Sequence, residues 1–432
     1  MDLESWFDFF ELSDDAERHA ADLRNAGLGA RLLRTDYPLQ VTPCMVSRQT
    51  IARQAEIYAT LLNALLRLPE TMFDGDIAAF AKAVGFEGAA ITDLLAAPDD
   101  ALLPCRWDLC QKNGQWFAFE ANFGGALGGL PSEDMHAVYD ALPLPGGPVC
   151  DRWKSAGEAI AESFIRRFGP PDTWQMVVLD DADHFAQSPL TANAAAAMMA
   201  RHLGQEVSAI AHTDLDHVLD GADKPHVAFE LFTLRDIAAR SDHSYDAYLS
   251  HCARGTLHRG ISLLCDLYMS KACLALLHEA ADGRMIGPAI CEVVRAAIPK
   301  TQIVRTGTVA ALSRLPKDQH VLKSALGYGG TAVFCGWEIA QDTWDDLLVQ
   351  AADPAGLFGM CVLQRRVDGD RAPSLSMMPD GTWIESDAPQ VLGVFQIEGQ
   401  LCGGVVRQAV IGGGVANAAR QASVGLIRRI AS

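Results

Sequence analysis

Two short runs in this chain set acids, an amide and an arginine at alternating positions. Arg106-Trp107-Asp108 and Glu120-Ala121-Asn122 flank Asn113-Gly114 within the segment 105–125. Asn-Gly between two apolar-aromatic runs is a strong hairpin signal. A three-residue loop, Asn113-Gly114-Gln115, puts the glycine at a left-handed bulge position. It predicts Trp107 opposite Ala121, Leu109 opposite Phe119 and Gln111 opposite Phe117 on a largely apolar face. On the other face Arg106 lies opposite Asn122 and Asp108 opposite Glu120, whereas a two-residue loop mixes the two sets. Like charges opposed across a strand pair destabilise a sheet. A hard divalent cation reverses that cost, and Asp108, Glu120 and Asn122 offer the oxygens that suit Mg²⁺. The competing expectation is a solvated polar face on which Arg106 neutralises the acids.

A second run, 320–334, reads as strand, glycine loop, strand. Gly327, Tyr328, Gly329 and Gly330 form the loop, and Lys323 ends the strand before it. Glycines let backbone N–H groups approach phosphate oxygens, and a lysine adds a point charge. The run is neither a P-loop nor a dinucleotide-binding fingerprint, and an ordinary hairpin turn is the plainer reading. Further on, the strand 360–367 carries Gln364, Arg365 and Arg366, which can edge a nucleotide pocket. Two strands over 392–410 carry Arg407, which can reach a triphosphate or simply sit on an edge strand. A Gly412-Gly413-Gly414 loop and Asn417 follow.

The elements that must position these residues are legible in part. The first hundred residues read mostly helical, with an amphipathic helix from Ser47 to Leu68. A Gly- and Pro-rich run, 124–148, follows the hairpin. The middle is α/β: a helix over 154–167, a buried strand at 176–179, a helix over 190–203, then strands at 207–211 and 227–232. Two helices are expected over 261–297. From Gln319 onward the chain reads strand-rich up to a final helix near 416–430. Two other clusters, Asp180, Asp181, Asp183 with His184 and His212 with Asp214, Asp216, His217, are candidates for metal or amine contact. Exposed strand-end loops are the plainer expectation for both. HExxH and GxSxG are absent, which counts against hydrolases of those classes.

The chain has 432 residues, 49% hydrophobic and 21% charged, with a formal net charge of −19. That balance excludes wholesale disorder and disfavours general nucleic-acid binding. No run reaches the roughly 20 apolar residues of a membrane span, and the acidic amino terminus lacks signal-peptide character. A cytoplasmic location is expected. Eleven cysteines without a CxxC read as buried, reduced thiols.

Taken together, the motifs resemble the circularly permuted ATP-grasp ligases, such as the synthetase domain of glutathionylspermidine synthetase and the eukaryotic-type glutathione synthetases. The resemblance covers the hairpin and most of 300–432. It implies an α/β (α+β) ATP-grasp fold in permuted order, with an additional α/β substrate-binding region. The expected division is a helical region ending in the metal-binding hairpin (1–125), a central substrate region (126–298) and a nucleotide-binding part (299–432). It implies ATP and Mg²⁺ as cofactors, with Asp108, Glu120 and Asn122 on the metal. By the same resemblance Arg106 is expected to face the reacting acyl phosphate. It likewise implies that Lys323, Gly327, Tyr328, Gly329, Gly330 and Arg407 hold phosphates, and that Gln364, Arg365 and Arg366 edge the adenine. The implied reaction joins a small-molecule carboxylate to an amine. A carrier-protein-bound substrate, a kinase-like enzyme and a non-catalytic nucleotide or partner binder are the alternatives. No nucleic-acid or membrane partner is expected, and a homodimer is the default. Ser324 stands where a proline usually follows the lysine. The second phosphate-contacting cation usual upstream is one of Arg295, Lys300 and Arg305.

Overall fold

The computed structural model describes residues 15–95, 100–141, 152–327, 332–410 and 422–430. Its strands, in chain order, are β1 (Leu39–Gln40), β2 (Cys44–Ser47), β3 (Cys105–Lys112) and β4 (Gln115–Phe123). The middle holds β5 (Gln175–Asp180), β6 (Ser208–Ala211), β7 (His226–Glu230) and β8 (Leu257–His258). Next come β9 (Thr301–Ile303), β10 (His320–Ser324), β11 (Val333–Cys335) and β12 (Cys361–Arg365). The last four are β13 (Arg371–Met377), β14 (Trp383–Ile397), β15 (Gln400–Ala409) and β16 (Ala422–Ile430).

These strands make three sheets in a mixed α/β architecture. The largest runs β13-β1-β16-β15-β14-β3-β4, with β2 beside β16 and a further β13–β14 pairing. It is mixed, because β1 and β2 run parallel to β16 while the hairpin joins β14 antiparallel. A four-stranded antiparallel sheet has the order β11-β10-β12-β9. A four-stranded parallel sheet has the order β6-β5-β7-β8. Its central strands are continuous apolar runs because helices cover both faces. β5 leads outward to β6 and the chain then returns to β7 on the other side, so the carboxyl ends of β5 and β7 form a switch point.

The expected helix over 47–68 spans Arg48–Leu66, and the Ser47 hydroxyl caps it by accepting from Thr50 N. Its Tyr58 packs edge-on against Trp107, with ring centroids 5.3 Å apart, and so anchors the hairpin. The hairpin itself differs from expectation in one respect. Arg106 faces Asn122, Trp107 faces Ala121 and Asp108 faces Glu120, but beyond a bulge Leu109 faces Ala118 and Gln111 faces Trp116. The turn is the two-residue Asn113-Gly114, both at positive φ, 52° and 72°. That geometry matches strand twist better than a three-residue loop. The bulge at Asp108/Leu109 absorbs the extra residue and preserves the polar register.

Three other expectations are corrected. The final helix expected near 416–430 is the strand β16 over 422–430, paired with β1, β2 and β15; its residues are buried on both faces, so no alternation marks it. Residues 411–421, with Gly412–Gly414 and Asn417, lie outside the described residues. The region 261–297 holds three helices, Cys265–Met269, Ala272–Asp282 and Pro288–Ala297, rather than two, and the strand-rich part also contains the helix Gln341–Ala351. Among the described residues no helix is long and apolar enough to cross a membrane, and the cysteines form no disulfide.

Candidate active site

A cavity of about 1560 Å³ lies between the polar face of the hairpin, the β10–β12 sheet and the carboxyl ends of β7 and β8. The described residues of the hairpin, glycine-loop, Gln364 and Arg407 motifs line it: Arg106, Asp108, Glu120 and Asn122 from the hairpin, Lys323 and Gly327 from β10 and its loop, Gln364, Arg365 and Arg366 from β12, and Arg407 from β15. Tyr328, Gly329 and Gly330 lie outside the described residues.

Asp108 is almost wholly buried and sits between two guanidiniums. Arg106 donates to it from Nε at 2.9 Å and from Nη2 at 3.3 Å. Arg407 Nη2 stands 2.6 Å from Oδ2, in ion-pair rather than hydrogen-bond alignment. Burial alone raises the Asp108 carboxyl, but the two arginines outweigh it and hold it at about 2. Arg106 also donates from Nη1 to Gly128 O at 3.0 Å, which ties the loop after β4 to the site. That loop passes so close to the end of β7 that a Cβ on Gly125 would meet Glu230 O at 2.2 Å.

Glu120 pairs with Lys271 Nζ at 2.9 Å, and the same ammonium donates to Gly327 O at 2.6 Å. Lys271 was not singled out from sequence. It is the one charged residue in the apolar run 267–278, and a lone lysine that must be buried there is the signal that could have found it. Arg295, Lys300 and Arg305, the three cations weighed for a second phosphate contact, lie elsewhere. Arg295 and Lys300 pair with Asp282, and Arg305 pairs with Glu279.

Lys323 is buried, donates to Gln364 Oε1 at 2.7 Å and stands over the Phe119 ring at 5.1 Å. Gln364 Nε2 in turn donates to Thr301 Oγ1 at 2.9 Å, so the amide's orientation is fixed. Burial lowers the Lys323 ammonium to about 8, against the pull of Glu120 and with a further push from Lys271. Arg366 stacks on Trp337, its guanidinium carbon 4.0 Å from the ring centroid.

Around the hairpin face, then, Arg106, Lys271, Lys323 and Arg407 oppose two carboxylates. On a chain with a net charge of −19, this local excess of positive charge suits a polyanion. The Nδ2 of Asn122 is buried there without a hydrogen-bond partner. Among the described residues no three His, Cys, Asp or Glu side chains converge as a metal cage. Asp108, Glu120 and Asn122 are the oxygen donors of this face that could hold Mg²⁺, an ion usually bound by one or two carboxylates together with substrate phosphates. Phosphates that engage the four cations would leave the Asp108 and Glu120 oxygens for the metal.

In the two acid–histidine clusters Asp183, His184, Asp214, Asp216 and His217 are exposed, as strand-end loops would have them, whereas Asp180, Asp181 and His212 are drawn into networks. Asp180 is buried and bonded to His184 at 2.6 Å, while Asp181 caps the helix Ala182–Gln187 and accepts from Arg240 and from Tyr245 at 2.9 Å. His212 is buried and stacked on Tyr245. Asp216 pairs with His251 at 2.7 Å. None of the clustered residues is among the described residues that line the main cavity.

No protein-family model matches this chain, and no curated protein does. Solved structures do resemble it. A glutathione synthetase-like effector from Globodera pallida, in its apo form, aligns over 96% of this chain and 97% of its own, at 12% identity and a TM-score of 0.58. A putative gamma-glutamylcysteine synthetase from Methylobacillus flagellatus aligns over 88% and 86%, at 10% identity and a TM-score of 0.39. The chain thus shares, across nearly its whole length, the overall fold of the glutathione synthetase-like protein.

Proposed function

We propose that this chain is a circularly permuted ATP-grasp ligase that joins a carboxylate to an amine, with ATP as phosphoryl donor and Mg²⁺ as metal. One observation carries the reading. Residues chosen from four separated sequence segments, for four separate duties, line a single cavity. A carboxylate is a poor electrophile. Transfer of the γ-phosphoryl group to it gives an acyl phosphate and ADP, and attack by the amine then expels phosphate.

In this reading Asp108, Glu120 and Asn122 hold Mg²⁺, which when bound neutralises phosphate charge. Lys323, Lys271 and Arg407 engage the phosphates. Arg106, fixed by Asp108 and Gly128, orients the acceptor carboxylate. Gln364, Arg365 and Arg366 edge the adenine, and the glycine loop excludes water from the acyl phosphate. The test is ADP release over a matrix of carboxylates and amines, with and without Mg²⁺, on wild type and Glu120→Ala. ADP that requires both substrates, and is lost in the variant, is the expected result. The competing reading, a non-catalytic nucleotide binder, draws on the cation pairing of both carboxylates. Nucleotide binding without ADP release under any substrate pair would favour it.

Lys271 takes the place of the second phosphate-contacting cation in this scheme. Lys271→Met is expected to weaken nucleotide binding by about 10- to 100-fold, the worth of a charge-assisted contact. Arg305→Met is expected to leave it unchanged. Equal losses in both variants, measured by calorimetry, would remove Lys271 from this role.

A further inference from the structure

A second concavity, of about 420 Å³, lies behind the end of β12. Its size is within the range of small-ligand sites. Five cationic side chains line it, Lys112, Arg295, Lys300, Arg365 and Arg366, against one carboxylate, Asp282. Asp282 is already shared by Arg295 at 3.4 Å and Lys300 at 2.5 Å, and Arg366 pairs with Asp368. Lys112 and Arg365 have no anionic partner among the described residues. The pairs with Asp282 and Asp368 account for Arg295, Lys300 and Arg366 but leave Lys112 and Arg365 beside them, an excess of positive charge that an anion would offset.

His278 supplies the second, independent observation. It lines the same concavity and is 2% exposed. Its Nε2 lies 3.2 Å from Pro299 O, and since a carbonyl only accepts, that nitrogen carries the proton. Its Nδ1 is buried with no partner. Burial, helped by Lys300, lowers the imidazole to about 4, so near neutral pH the ring is uncharged and Nδ1 is a bare acceptor. An occupant that satisfies the whole lining must therefore bring negative charge for Lys112 and Arg365 and an O–H for His278.

We propose that this concavity is a binding site for a phosphate-class anion that carries a hydroxyl donor. Inorganic phosphate keeps a P–OH near pH 7, and a phosphate ester of a polyol brings its own hydroxyls. Sulfate matches phosphate in shape and charge but carries no proton. The site stands back to back with the main cavity, since Arg365, Arg366 and Val367 line both. It does not depend on what the main cavity catalyses.

The test is calorimetric titration of the full chain with inorganic phosphate, glycerol 3-phosphate and sulfate, on wild type and Lys112→Gln. Lys112 is half-buried at the turn end of the hairpin, where the exchange leaves the strand pairing intact. Saturable phosphate binding, about tenfold weaker in Lys112→Gln and about tenfold weaker again for sulfate on wild type, is expected. Tighter binding of glycerol 3-phosphate than of phosphate would assign the site to a phosphorylated metabolite, and the reverse to free phosphate. Absence of phosphate binding, equal binding of sulfate, or indifference to Lys112→Gln would each overturn the proposal. The last result would place the anion in the main cavity.

Discussion

Lys323→Met is expected to cut nucleotide affinity about a hundredfold while leaving stability at pH 7 within about 2 kcal/mol of wild type. The two effects part company because the ammonium is costly to bury. A folded value of about 8 against the ordinary 10.5 corresponds to a penalty of about 3 kcal/mol at neutral pH. Methionine removes that penalty and fills similar space. It also strips Gln364 Oε1 of its donor, which costs about 1–3 kcal/mol, so the terms nearly cancel. The pH dependence has a definite sign. Below pH 8 both folded and unfolded wild type carry the proton and the penalty is fully present. Between about pH 8 and 10.5 the folded chain releases it first, so wild-type stability rises relative to the variant. Thermal melts at pH 7 and 9.5, with calorimetry of nucleotide binding, check both halves. A strongly destabilised variant that still binds nucleotide at wild-type affinity would make Lys323 a structural residue.

The residues of the candidate site were more legible in the sequence than the fold that gathers them into one cavity. Charge, amide and glycine types at strand spacing identify chemistry locally, and so Arg106, Asp108, Glu120, Asn122, Lys323, Gln364 and Arg407 could be named from short windows. The polar register of the hairpin could also be argued, because period-two alternation leaves only two choices of face. The bulge that restores this register could not, since it reflects the preference of Asn113-Gly114 for a two-residue turn against a fixed strand length. β16 was misread for a related reason. A central strand buried on both faces carries no alternation, and its partners β1 and β2 come from the far end of the chain. Lys271 was hidden differently. Its burial could be read from the apolar run around it, but its pairing with Glu120 arises from the packing of 265–269 against β4, a long-range contact that no local pattern encodes.

Asp108→Asn is expected to destabilise the chain by about 3–5 kcal/mol and to abolish Mg²⁺-dependent nucleotide binding. Both oxygens of this carboxylate are engaged by guanidiniums whose side chains are only 14% and 15% exposed. An asparagine takes from two buried cations, at β3 and β15, the carboxylate they share, leaving Arg106 only the weaker pull of Glu120. The acid limb of the stability profile should change with it. Wild type gains from the depressed Asp108 carboxyl above the unfolded value near 3.9, and loses that gain as pH falls toward about 2. The variant lacks this contribution, so the difference between the two shrinks across the same interval. Adding Arg407→Met to Asp108→Asn removes one stranded cation. It should recover part of the loss, with a coupling of about 0.5–3 kcal/mol in a double-mutant cycle. The cycle separates the two duties assigned to this residue. If Asp108 served only to neutralise the arginines, the double variant would recover Mg²⁺-dependent binding along with stability, apart from the contact made by Arg407 itself. If it also holds the metal, stability returns while the Mg²⁺ dependence stays lost, because no carboxylate remains opposite Glu120.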